Sequence, residues 1–232
     1  MEKDIYTRGQ SIGKNSNTKA IADGISDLNS YLSSYPKIAW ILKEPYDEIK
    51  EGKPCGGGWP IPKDCFLKEG PWDVLTWQRV IYVMHGLKHR LRYEDMDNIR
   101  DTPEMGKVLR QIAWINLSKM PSKTFSNNNQ VKEAYKQHWR DIVKKQINLY
   151  SPNIIVFCNT LQYCREDFLD KDDKPIKQYI YNNKCLLNAF HKNGQLLLDA
   201  YHPGFRYIKG IKDSVAKYVN SLIDAINELY IP

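Results

Sequence analysis

Four short apolar runs restrict the folds open to this chain. They are Lys37-Ile38-Ala39-Trp40-Ile41-Leu42, Gln111-Ile112-Ala113-Trp114-Ile115-Asn116-Leu117, Ile154-Ile155-Val156-Phe157-Cys158 and Gln195-Leu196-Leu197-Leu198-Asp199-Ala200. Each is too short for a stable isolated helix and is bounded by proline, glycine or polar residues, the pattern of a buried strand. Between and after them the apolar spacing turns helical. Residues 72–91 carry Val74, Trp77, Val80, Ile81, Met84 and Leu87; 130–150 form a basic amphipathic stretch; 160–169 read as a short helix; and 212–230 place Val215, Val219, Leu222, Ile226 and Leu229 on one face. Alternation of this kind predicts an α/β fold of three layers, α/β/α, around a central, mostly parallel four-stranded sheet. Residues 178–181 and 186–190 are weaker strand candidates. Residues 18–32 show helical spacing at Ile21, Ile25, Leu28 and Leu32, with Thr18 or Ser16 as the cap. Another short helix is expected from Pro103.

The 232 residues suit one domain, with 1–16 expected to be a flexible N-terminal arm. No apolar run approaches the roughly 20 residues that span a bilayer, and 1–17 lack the apolar stretch of a secretory signal. The chain therefore reads as a cytoplasmic protein with no membrane partner, and a monomer is the favoured state. The five cysteines, Cys55, Cys65, Cys158, Cys164 and Cys185, form no CxxC pair. They are expected to be reduced thiols, with no metal site and no cofactor. A net charge of +7 favours a polyanionic partner, since each phosphate contact releases condensed counterions.

In open α/β sheets, ligands bind beyond the carboxyl ends of the strands. The residues that matter most are thus those that follow each run: Lys43-Glu44-Pro45-Tyr46-Asp47, Asn116-Leu117, Asn159 and Tyr201-His202-Pro203. A carboxylate, a carboxamide and an imidazole are all expected at one rim.

Three of these segments, in this order, resemble motifs of the uracil-DNA glycosylase superfamily. Leu42-Lys43-Glu44-Pro45-Tyr46-Asp47 is similar to the first motif, in which the uracil-specific branch has glycine, any residue, Asp, Pro, Tyr, His. Ile115-Asn116-Leu117 resembles the strand-end asparagine that pairs with the base, and Ala200-Tyr201-His202-Pro203-Gly204 resembles the closing His-Pro-Ser motif. The likeness runs from about Lys37 to Arg206. It implies a uracil-DNA glycosylase-like sheet and hydrolysis of the N-glycosidic bond of uracil or another modified base in DNA, with the nucleotide flipped into a pocket. By resemblance Glu44 is the catalytic carboxylate with Asp47 in reserve, and His202 stabilises the leaving anion. Asn116 reads the base, Tyr46 walls the pocket, and Trp59 or Phe66 stacks on the base. Gly204, Phe205, Arg206 and Tyr207 lie along the DNA.

This chain departs from the pattern at four places. Leu42 replaces a glycine, Glu44 an aspartate, Asp47 a histidine, and Gly204 the serine whose hydroxyl contacts a phosphate. The superfamily's iron–sulfur branch uses four cysteines in an arrangement missing here, so no cluster is expected.

Simpler roles stand beside these. Glu44-Pro45 and Asn116 can merely terminate strands. Gly56-Gly57-Gly58 lacks the Lys and Ser/Thr of a P-loop and reads as a flexible loop. His85 and His89 lack the glutamate of a zinc-protease helix. Lys132, Lys136, Arg140, Lys144 and Lys145 read as a solvated face, and Trp40, Trp77 and Trp114 as core. The competing functions are a catalytically inactive nucleic-acid-binding or protein-interaction module on the same fold, and an unrelated α/β hydrolase acting on a small nucleotide or nucleoside.

Overall fold

The computed structural model describes residues 1–13, 18–47, 49–50, 53–54, 56–67, 74–122 and 127–231. The expectations for Ser16, Cys55 and Trp72 lie outside that set. Helix α1 spans Glu2–Ile12. Its Ile5 is wholly buried in a small cluster with Ala20, Ala22, Trp139 and Ile142, and at Gly9 a Cβ would fall 2.4 Å from the Ala20 Cβ. Arg8 grips Asp141 at 2.8 Å and Lys145 reaches Asp4 at 2.8 Å. Over residues 1–13 the expected flexible arm is thus corrected, since one apolar side chain, one close glycine contact and two ion pairs dock it; residues 14–16 lie outside the described set.

The helix expected at 18–32 keeps only its last part. Thr18 bridges Gly56 and Ala22 bridges Pro60, Gly24–Ile25 forms the short strand β1, and Leu28–Leu32 forms α2, capped by the Asp27 carboxylate accepting from Ser30 N at 2.9 Å. Gly24, at φ +136°, stands where few side chains could sit. Pairing with the glycine loop and the sheet edge overrides the local helical spacing.

Strand β2 (Ile38–Leu42) is buried along its length. A two-stranded ribbon of β3 (Ile49–Lys50) and β4 (Lys53–Pro54) follows, then a π-helical turn at Pro62–Phe66 and α3 (Leu75–His89). A 3-10 segment over Pro103–Gln111 leads into β5 (Ile112–Asn116). Helices α4 (Asn128–Ala134) and α5 (Arg140–Tyr150) are joined by a π turn at Tyr135–Trp139. Then come β6 (Ile154–Cys158), α6 (Leu161–Cys164), β7 (Lys177–Tyr181), β8 (Lys184–Lys192), β9 (Gln195–Ala200) and α7 (Ser214–Leu229).

The main sheet has seven strands in the order β1-β5-β2-β6-β9-β8-β7, not four. The β5/β2, β2/β6 and β6/β9 ladders are parallel; β1/β5, β8/β9 and β7/β8 are antiparallel. Of the three extra strands, β1 adds to the β5 edge, and β7 and β8 arise from tight turns that let the chain double back. Asn182-Asn183 and Asn193-Gly194 all have positive φ, the backbone that two-residue hairpins require.

Trp40, Leu42 and Trp114 pack with α3 and α7 on one side. Ala39, Ile41, Ala113, Ile115 and Phe157 pack with Tyr135, Val143 and Leu161 on the other. The fold is a three-layer α/β/α domain. No helix among the described residues is long and apolar enough to cross a membrane.

Candidate functional site

Because β5, β2, β6 and β9 run parallel, their carboxyl ends share one rim. The chain order turns there: from β2 it passes to β5 on one side, then returns to β6 on the other, which opens a crevice beyond the strand ends. Backbone bonds tie the strand exits together. Leu117 N donates to Leu42 O at 2.8 Å, Ser118 N to Lys43 O at 2.9 Å, Ser122 N to Pro45 O at 2.9 Å and Asn159 N to Ala200 O at 2.7 Å. Glu44, Asn116 and His202 therefore leave the sheet at one rim. Asn116 is in register with Leu42, so Glu44 lies two residues beyond its partner. His202 lies two strands over, past β9. From β5 to β9 the rim measures roughly 14 Å by strand spacing.

Asn116 is buried, 2% exposed, and its Nδ2 has no hydrogen-bond partner. It shares its sheet face with Ile112 and Trp114, the side covered by α3. A buried amide donor left without an acceptor is costly, and few are retained without cause.

His202 is half-buried. Burial pushes its imidazole down to about 4, and the nearby Lys43 charge adds to that, so the ring is neutral at pH 7. Its Nδ1 faces the Gly204 N–H at 3.1 Å and accepts from it. The ring proton is therefore on Nε2, which makes Nε2–H the donor. Pro203 is buried and Gly204 half-buried, and a Cβ at Gly204 would meet the Thr76 hydroxyl at 2.8 Å. Thr76 on α3 thus fills the space of a side chain at 204.

Glu44 is half-buried beside Lys43 and Tyr163; burial raises the Tyr163 pKa, and the Glu44 charge adds to that. Burial pulls the Lys43 amine down despite that carboxylate. Lys43 also donates to Asn128 Oδ1 at 3.1 Å and lies 5.8 Å from the Tyr163 ring centroid.

The remaining expected residues have diverse settings. Asp47 Oδ2 accepts from Gly57 N and Trp59 Nε1, both at 2.7 Å, so this carboxylate holds the glycine loop. Gly56, Gly57 and Gly58 all have φ near +80 to +90°, and the Gly58 N–H donates to Ala20 O. At Gly57 a Cβ would fall 1.9 Å from Lys19 O. The triplet is needed for a close backbone approach, and its amides at 57 and 58 are occupied within the protein. Tyr46 is 61% exposed and faces outward. Phe66 is buried, edge-on to Trp77 and Trp114 at 5.6 and 5.5 Å. Phe205 packs edge-on to Tyr201 and Tyr218 at 5.7 and 5.3 Å, while Arg206 and Tyr207 are exposed in the loop after β9.

Several residues escaped the sequence reading. Asp199 on β9 is held by burial at a pKa of about 6, against the opposing charge of Arg165. A carboxylate inside an apolar run was its only signal. Arg79 on α3 is 6% exposed and donates to Phe205 O at 3.3 Å, bracing the loop that carries His202. Asp23 and Lys119 form a buried ion pair at 2.7 Å against the end of β5; nothing in their spacing, 96 residues apart, announces it.

The basic face of the α4–α5 segment is largely neutralised. Lys136 pairs with Glu166, Arg140 and Lys144 with Asp167, and Lys145 with Asp4. Two cavities lie away from the rim. One of about 280 Å³ adjoins the start of β9 and Tyr230, and one of about 460 Å³ lies between Tyr31, Tyr150, Leu28 and Leu149. Among the described residues no group of three or more His, Cys, Asp or Glu could hold a metal ion, and Cys158, Cys164 and Cys185 are free thiols. No protein-family model matches the sequence, and comparison with curated proteins finds no match.

Proposed function

We propose that this chain is a uracil-DNA glycosylase-like enzyme, hydrolysing the N-glycosidic bond of uracil or another modified base in DNA. The observation that carries the reading is the departure of Glu44, Asn116 and His202 from parallel strands at one rim. The chemistry suits those groups. Asn116 Nδ2, buried and without an acceptor, suits a carbonyl oxygen on a flipped base. Cleavage sends the C–N bond electrons to the base and leaves an oxocarbenium-like sugar. The neutral His202 donates its Nε2–H to the base oxygen on which charge develops. Glu44 orients the attacking water and takes its proton as the C1′–O bond forms. The exposed Arg206, Lys209 and Lys212 beyond β9 supply phosphate contacts.

The test is base release from oligonucleotides bearing uracil, hypoxanthine, xanthine or hydroxymethyl pyrimidines. Glu44→Gln is expected to slow release by about 10² to 10⁴-fold and His202→Ala by about 10² to 10³-fold. His202 stays neutral down to about pH 4, where protonation sets Nδ1–H against the Gly204 N–H that positions the ring, so the part of the rate that depends on it persists through pH 5 and falls near 4. Unchanged cleavage by both variants would remove these residues from the mechanism.

A non-catalytic nucleic-acid-binding module is the second reading. It is favoured by Tyr46, which faces outward instead of walling a pocket. Salt-sensitive DNA binding with no release of any of these bases would select it.

A further inference from the structure

Asn116 is held from behind. Its backbone N–H donates to Asp23 Oδ2 at 2.6 Å, and its carbonyl accepts from Lys119 Nζ at 2.7 Å. The same ammonium reaches Asp23 Oδ1 and Oδ2 at 2.8 and 2.7 Å and Gln146 Oε1 at 2.9 Å; Gln146 Nε2 donates back to Asp23 Oδ1 at 2.8 Å. Lys119 and Gln146 are wholly buried and Asp23 nearly so. Burial pulls the Lys119 pKa down while Asp23 pushes it up. Every hydrogen on the ammonium has an acceptor within the cluster.

Such a cluster is a poor way to gain stability, because desolvation consumes most of the Coulombic attraction and apolar replacements often do as well. What it gives is geometry. The network takes both backbone polar groups of Asn116 at the last residue of β5, and leaves the side-chain Nδ2 a buried donor without a partner. Asp23 comes from the segment just before β1 and Lys119 from the exit of β5, and both hold Asn116, while Gln146 from α5 braces that pair.

We propose that Asp23 and Lys119 are positioning residues that fix Asn116 so that its carboxamide is preset for a ligand carbonyl. This rests on the base-reading role given to Asn116 above, and it adds two residues that touch no substrate themselves. Preorganisation of this kind acts on the bond-breaking step more than on affinity, because misplacement by about 1 Å can cost on the order of 10²-fold in rate.

The test compares the apolar double variant Asp23→Leu/Lys119→Met with wild type in two ways. The first is the Asn116 side-chain amide pair in ¹H–¹⁵N spectra, identified by its absence in Asn116→Ala. The second is single-turnover release of uracil from a uracil-containing oligonucleotide, together with the oligonucleotide Kd. The folded double variant is expected to lose the dispersed Asn116 amide signals and to release uracil about 10- to 100-fold more slowly. Its Kd should change less than about threefold, and adding Asn116→Ala should cost little more, because coupled residues are not additive. If the double variant does not fold, Asp23→Asn/Lys119→Met, which keeps an oxygen for the Asn116 N–H but removes the donor to its carbonyl, is read in the same way. Asn116 signals unmoved in a folded variant would overturn the positioning role. A wild type that releases no uracil would count against the glycosylase reading alone, because the spectra decide the positioning claim by themselves.

Discussion

At the scale of single residues, burial sets the chemistry. His202 is kept neutral and Asp199 is kept partly protonated by the same cause, removal from water, with opposite shifts. For Asp199 the consequence for stability follows from its direction. The folded pKa, about 6, is above the ordinary aspartate value of 3.8, so the native state holds the proton more tightly. That contribution is fully present below pH 3.8 and is lost as pH rises through 6. Asp199→Asn is therefore expected to stabilise the protein at pH 8 by about 3 kcal/mol, with the gain vanishing below pH 4. Thermal melts across that range check it, and a gain that persists at pH 4 would show another cause. The residue-level reading from sequence found the acid, amide and imidazole at the rim because each follows an apolar run. It also reserved Asp47 for chemistry, whereas that carboxylate binds Gly57 and Trp59. A polar side chain near a strand end looks the same in sequence whether it faces a ligand or its own loop.

At the scale of elements, β2, β5, β6 and β9 were legible because their apolar runs are buried on both faces. Helices α3 and α7 were legible from their periodic spacing. The antiparallel additions carried weaker signals. Strand β7 alternates between half-buried and exposed residues, and the Asn193-Gly194 pair, a strong hairpin signal, joins β8 to β9. Helix α1 was unreadable locally, since its composition is polar and 11 residues scarcely hold a helix alone. Its order comes from docking on the α5 region, which Ile5 anchors. Ile5→Ala is expected to destabilise the protein by about 2 to 4 kcal/mol, measured by urea unfolding. A cost under about 0.5 kcal/mol would mean that α1 contributes nothing to the folded state.

At the scale of the whole molecule, the charge of +7 is unevenly available. On the α4–α5 face, Lys136, Arg140, Lys144 and Lys145 are engaged by Glu166, Asp167 and Asp4. Arg206, Lys209 and Lys212 stand exposed beyond β9, beside the proposed site. If DNA lies on that rim, replacing these three with alanine reduces the slope of log affinity against log salt for a single-stranded oligonucleotide by about 2, at roughly 0.7 per phosphate contact. Replacing Lys132, Lys136 and Lys144 leaves the slope unchanged. The reverse pattern would put the nucleic acid on the helical face.

Trp40 and Trp114 stand opposite each other in the β2/β5 ladder, both sealed from solvent, and Trp114 is two residues from Asn116. Near-ultraviolet emission from this pair starts blue-shifted, and a molecule seated at the strand end perturbs the indole closest to it. Occupancy can thus be followed optically with no dye attached to the chain.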